Sequence, residues 1–175
     1  MEKSNNYFTL FDVPVSFEVD LPELSQRYLS LQKAIHPDKF ANSPEKERLY
    51  SVQQTAKLND AYDTLKKPLL RARYLLELHD ANLNHDNTTI KDTGFLMQQM
   101  ELRESIEKSK SDIDALEDSI DHIDDLYSAE LKRIKIEFAV DKPDYDQLAD
   151  LVRKLQFFSK LRDEVGALAV QLSNS

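Results

Sequence analysis

The sequence predicts an all-α protein, and three observations carry the prediction. Only two glycines, Gly94 and Gly166, occur in 175 residues, too few for the tight turns of a sheet-rich fold. Apolar residues recur at spacings of three and four through each long segment. Helix start signals, a capping side chain next to proline or three residues ahead of glutamate, precede several of those segments.

The same composition removes whole classes of function. A Gly-rich phosphate loop or dinucleotide fingerprint needs more glycine than this chain has. There is no cysteine, hence no disulfide, no thiolate metal site and no thiolate-held iron–sulfur cluster, and a reducing compartment fits. No apolar run approaches the ~20 residues that span a bilayer, and the opening MEKSNNYF lacks the apolar stretch of a signal peptide. A cytoplasmic chain without a membrane partner is expected. The net charge is −9, and between Glu101 and Glu130 eleven acids face only Arg103, Lys108 and Lys110. That balance argues against nonspecific nucleic-acid binding and reads mainly as a solvated helix face.

Taken in order, NYFTLFDVP packs Tyr7, Phe8, Leu10 and Phe11 ahead of Pro14 and suits a helix of about two turns. Asp20 is the expected N-cap of the next helix, with Glu23 closing a capping box and Pro22 in the first turn. Leu21, Leu24, Tyr28, Leu31 and Ile35 then form one stripe. Pro37 cannot continue that helix. Ser43 and Pro44 provide an N-cap and a proline at the first helical position. From there Leu49, Val52, Ala56, Asn59 or Leu58, Tyr62 and Leu65 make a second stripe. The two helices are expected as an antiparallel hairpin, with His36, Pro37 and Asp38 in a loop of roughly eight residues at its tip.

After Pro68, LLRARYLLEL stays helical and is apolar on more than one face, so further structure must cover it. HDANLNHDNTTIKDTG reads as a linker. Three more helices follow: about 94–109; one marked by Ile113, Leu116, Ile120, Ile123, Tyr127, Leu131, Ile134 and Phe138; and one from DKPDYD, with Pro143 in its first turn, to about Leu172. Short connections make them an antiparallel three-helix bundle.

Two faces of that bundle do not fit a core. At 100° per residue, Phe95, Leu102 and Ile106 share one seam, whereas Leu96, Met97 and Met100 lie about 100°, 200° and 140° away from Phe95. Glu101 and Glu104 rim that second face. In the last helix Leu155 and Phe158 fit the seam, and Phe157 points about 200° from Leu155. Methionine adapts to varied surfaces, and apolar patches rimmed by charge mark interaction sites. Packing beneath the N-terminal hairpin or its linker is the alternative reading of the patch.

The order of elements, with His-Pro-Asp between two amphipathic helices and then LNDAYDTLKKPLLRARYL, resembles a J-domain. YFTLF, HPDKF, LLRARYLLELH and DTGFLMQQMELRE together resemble the HscB-type J-domain co-chaperones of iron–sulfur cluster assembly, over nearly the whole chain. That resemblance implies a J-domain at 1–78, a linker at 79–93 and a C-terminal domain at 94–175, locked into an L shape through the apolar segment 69–78. It implies that His36, Pro37 and Asp38, with the basic positions Arg27, Lys33 and Lys39, meet an HscA-type ATPase chaperone. It implies that Leu96, Met97, Met100, Glu101, Glu104 and Phe157 bind an IscU-type scaffold protein. A bacterial, monomeric form without cofactor or resident metal follows from the same likeness, and every catalytic group for ATP would belong to the partner. The rival readings are a J-protein for another client, an enzyme using His36 and Asp38 as acid and base, and loose Ca²⁺ binding by the carboxylates between Asp112 and Asp125.

Overall fold

The computed structural model describes residues 6–81 and 92–174. Within them the chain is helical, with seven α-helices and no strand: α1 (Tyr7–Leu10), α2 (Leu21–Ile35), α3 (Glu45–Lys66), α4 (Pro68–Leu78), α5 (Thr93–Ser109), α6 (Ile113–Phe138) and α7 (Tyr145–Ser173). One 3₁₀ turn, Pro37–Phe40, lies between α2 and α3. Residues 82–91 of the expected linker fall outside the described residues. The chain divides into two compact units, Met1–Leu75 and Leu76–Ser175, with the division inside α4.

In the first unit α1 is one turn rather than two, because both of its ends are closed at once. Asn6 accepts from the Thr9 N–H at 2.9 Å, while its own N–H donates to Thr9 Oγ1 at 3.1 Å. At the other end the Val13 N–H reaches Phe8 O at 3.0 Å and the Asp12 N–H reaches Thr9 O at 3.2 Å. That is a Schellman stop, with Asp12 at φ 52° in the position usually given to glycine. The end of α4 repeats it. Ala81 N–H to Leu76 O (2.9 Å) and Asp80 N–H to Glu77 O (3.1 Å) close the helix around Asp80 at φ 54°. A glycine-poor chain thus uses aspartate, one of the few other residues to tolerate this conformation.

Asp20 caps α2 through the Glu23 N–H at 2.9 Å. Glu23 does not complete the box; its carboxylate turns to Arg27 instead, at 2.6 Å. Of the expected α2 stripe, Leu24 is fully buried, Tyr28, Leu31 and Ile35 are half-buried, and Leu21 is exposed. Tyr28 stacks on Tyr62 of α3 at 4.1 Å between ring centroids and donates to Asn59 at 3.0 Å, while Ile35 further along α2 meets Ser51 earlier in α3, so the pair is antiparallel.

The α3 stripe needs correction at its N-terminal half. Leu49 and Val52 are 57% and 52% exposed, and Ala56 is exposed too. The buried line runs instead through Ser51, Leu58, Ala61 and Leu65. The reason lies at the end of α2, whose last carbonyls have no helical partner. Ser51 Oγ donates to Ile35 O at 2.6 Å, with Thr55 Oγ1 at 3.4 Å. Polar side chains therefore face inward where the partner helix ends. Pro44, not Ser43, is the N-cap of α3, and no side chain caps it.

Buried Arg71 of α4 closes the unit. Its Nε donates to Phe17 O at 2.7 Å and its Nη1 to Leu65 O at 2.6 Å, so a late carbonyl of α3 is satisfied from the following helix. Tyr74 stacks on Tyr7 at 4.5 Å, and its hydroxyl accepts from the Tyr7 N–H at 2.9 Å.

In the second unit each helix starts on an aspartate. Asp92 caps α5 through the Phe95 N–H (3.0 Å), Asp112 caps α6 through Asp114 N–H (3.0 Å) and Asp144 caps α7 through Asp146 N–H (3.0 Å). Pro143 accordingly lies before the cap, not in the first turn. Phe95, Leu102, Leu116, Ile123, Phe158, Leu161 and Val165 form a buried cluster shared by all three helices. The expected α6 stripe holds: Leu116, Ile123 and Ile134 are fully buried. Glu130 is buried among them, and its Oε1 finds no hydrogen-bond partner.

Candidate functional site

The residues singled out by the sequence lie in two places, one in each unit. The first is the hairpin tip. His36 ends α2 because a residue before proline is pushed out of the helical region, and it adopts φ −57°, ψ 131°. From there it opens the 3₁₀ turn. The Asp38 N–H donates to His36 Nδ1 at 3.3 Å, and the Lys39 N–H donates to His36 O at 3.0 Å. Asp38 Oδ2 lies 3.4 Å from the same ring nitrogen. Asp38 O and Phe40 O accept in turn from Ala41 (3.4 Å) and Ser43 (2.9 Å). The expected eight-residue loop is thus a bonded turn followed by a short link. His36 and Asp38 stay exposed on it.

The three basic positions differ in kind. Lys33 and Lys39 are exposed. Arg27 is held within the unit: its guanidinium donates to Phe11 O at 2.9 Å and Asp12 O at 2.5 Å, and pairs with Asp12 (3.1 Å) and Glu23 (2.6 Å). Hydrogen bonding to Glu23, foremost among these contacts, raises its pKa further. Arg27 ties the end of α1 to α2, a role that sequence reading did not assign.

The second place is the outer face of α5. Leu96, Met97 and Met100 are 40%, 62% and 72% exposed, and Glu101 and Glu104 are exposed beside them. Leu96, Met100 and Glu104 follow one i,i+4 row and Met97 and Glu101 a second, so the five make a continuous strip. Glu104 pairs with Lys108 at 2.7 Å, and that hydrogen bond holds its carboxyl below the ordinary glutamate value.

Phe157 of α7 is in contact with α5 next to the strip's first residues. Half-buried, it meets Phe95 edge-on at 5.5 Å and Phe158 at 5.6 Å. Arg103 of α5 lies over its ring at 5.7 Å and pairs with Glu164 at 3.6 Å. Arg103 was missed as a neighbour, although its place seven residues after Leu96 puts it on the same helical face. Gly94 admits the capping geometry of α5: a Cβ there would stand 3.2 Å from Asp92 Oδ1.

No group of three or more His, Asp or Glu side chains arranged to hold a metal occurs among the described residues. Nor is any described helix long and apolar enough to cross a membrane.

A capped aromatic turn, an antiparallel helix pair with His-Pro-Asp at its tip, and a separate three-helix unit define a J-domain protein with a helical C-terminal domain. Residues 91–166 match the family model described as the HscB C-terminal oligomerisation domain. Co-chaperone protein HscB homologues of Shewanella oneidensis and Shewanella pealeana are 48% and 47% identical, each over 91% of this chain and 94% of their own. HscB from Vibrio cholerae superposes with a TM-score of 0.80 at 40% identity, covering 95% of this chain and 99% of that one. Human HscB does so at 0.87 and 28%, covering 95% and 83%. The chain belongs to the HscB family.

Proposed function

We propose that this protein is a co-chaperone of iron–sulfur cluster assembly that carries an IscU-type scaffold to an HscA-type chaperone. The strip Leu96, Met97, Met100, Glu101 and Glu104, together with Phe157 of α7, takes the scaffold. The turn His36–Pro37–Asp38, flanked by Lys33 and Lys39, meets the chaperone and stimulates its ATP hydrolysis. The observation that carries this reading is the tip itself: an imidazole and a carboxylate held exposed on a bonded turn, ready for charge-assisted contacts, in a chain of this family. Each buried apolar side chain of the strip would contribute roughly 1.5–3 kcal/mol before ordering costs. The chain supplies no catalytic group of its own. It works in the cytoplasm as a 20.3 kDa monomer, with the scaffold rather than a second copy on α5, and sedimentation of the pure protein checks that state.

The decisive experiment measures the ATPase of an HscA-type chaperone with an IscU-type scaffold present. Wild-type protein should stimulate turnover. Asp38→Asn should abolish stimulation while scaffold binding, followed by calorimetry, is retained. Met97→Ala should weaken scaffold binding and leave the scaffold-independent stimulation intact. Stimulation surviving Asp38→Asn would remove the tip from the mechanism. Stimulation by a wild-type chain that does not bind the scaffold would point to another client.

A further inference from the structure

The exposed strip begins one residue after Phe95, so its position depends on how the first turn of α5 is held. One carboxylate does two things there. Asp92 Oδ1 accepts from the Phe95 N–H at 3.0 Å, starting the helix, while Asp92 Oδ2 receives Lys154 Nζ from α7 at 2.6 Å. The same Nζ lies 5.3 Å above the Phe95 ring, and Phe95 in turn packs on Phe157, which stands three residues after Lys154. The Lys154 side chain is mostly buried, unlike most lysines. Glu130, buried on α6, feels the charges of both Lys154 and Asp92.

From this geometry we infer that Lys154 is a positioning residue for scaffold recognition: it fixes the first turn of α5 so that Leu96 and Met97 stand in register with Phe157. This rests on the assignment of the α5 strip as the scaffold site. The bridge, not the cap, carries the effect. Phe95 has its amide capped whether Asp92 is ionised or replaced by asparagine, since both are good N-caps, but only the carboxylate holds the ammonium.

Calorimetric titration of the full-length protein with an IscU-type scaffold tests it, using Met97→Ala, Lys154→Met, Lys154→Arg, Asp92→Asn and the Asp92→Asn, Lys154→Met double variant. Lys154→Met and Asp92→Asn should each weaken binding about tenfold, the reach of one charged hydrogen bond. The double variant should be no weaker than either single one, and Lys154→Arg should recover most of the affinity. Amide exchange should quicken at residues 93–97 and stay unchanged over 158–168. Wild-type affinity for Lys154→Met beside a weakened Met97→Ala would overturn the role of Lys154 and keep the site. Equal affinity of Met97→Ala and wild type would overturn the site, and this inference with it. Loss of exchange protection throughout α5–α7 without rescue by arginine would reduce Lys154 to a structural residue.

Discussion

The hydroxyl of Ser51 donates to the main-chain carbonyl of Ile35 across 2.6 Å, and through that bond α3 closes the helix that precedes it. Ser51 is fully buried, so the bond is protected from water, and it lies one residue from the His-Pro-Asp turn. The shape of the tip is therefore set from inside the hairpin as well as by its own turn.

Ser51→Ala should lower stability by about 1–2 kcal/mol, the usual consequence of stranding a buried acceptor, because Thr55 at 3.4 Å is a poor substitute. Urea unfolding followed by circular dichroism measures it. Stimulation of the partner ATPase should fall at a temperature where the variant is still folded.

Arg27 and Lys33 should separate a structural cation from an interfacial one. Arg27→Ala removes the donor to Phe11 O and Asp12 O and should lower the melting temperature. Lys33→Ala and Lys39→Ala should leave melting unchanged while making ATPase stimulation weaker and less dependent on salt, as expected for exposed charges that steer association.

Asp80→Gly should stabilise the chain by about 0.5–1 kcal/mol, because glycine occupies φ near +55° without the steric penalty of a Cβ. Asp12→Gly should gain less, since Asp12 also pairs with Arg27. Thermal denaturation of the two variants side by side gives the comparison.

Two carboxyls of the second unit should respond to pH with opposite sign. Lys154, and after it the Phe95 amide, holds Asp92 below its ordinary value of 3.8. Its stabilisation is present above that value and is lost as the pH falls through the folded value. Burial pushes Glu130 above its ordinary 4.5, against the smaller pull of Arg133 and Lys154. The folded state then binds the proton more tightly, so Glu130 weakens the fold as the pH rises past 4.5. Glu130→Gln should raise the melting temperature at neutral pH, with the gain shrinking toward acid. Asp92→Asn should lower it at neutral pH, with the difference disappearing in acid.

Much of this architecture was legible because local rules and tertiary packing agree. Asp20 caps α2 as its sequence signals, and the α6 stripe from Leu116 to Ile134 is the buried one. The Met97 and Met100 face was readable from helical angles alone, and both side chains are exposed. Where reading failed, a contact from another element had won. Leu49 and Val52 were placed inside because period and hydrophobicity say nothing of an orphan carbonyl on α2. Glu23 is the exception, because the competitor for its carboxylate, Arg27, stands four residues on in the same helix. The partners of Phe157 were not legible, because an angle about one helix axis cannot show that Phe95 and Arg103 meet its ring. Lys154 carried no signal at all, since its partner Asp92 is 62 residues away in the chain.

His36 is at once the last word of one helix and the first of the next turn, and these are separable demands. The backbone asks only for a pre-proline residue with a short-range acceptor to receive the Asp38 amide, and asparagine or serine meets that request as well as histidine does. What those residues lack is an aromatic ring with a second nitrogen. On the proposed function, position 36 encodes a shape and a message in one side chain, and a chain carrying asparagine there should keep the first and lose the second, which the partner ATPase assay reads.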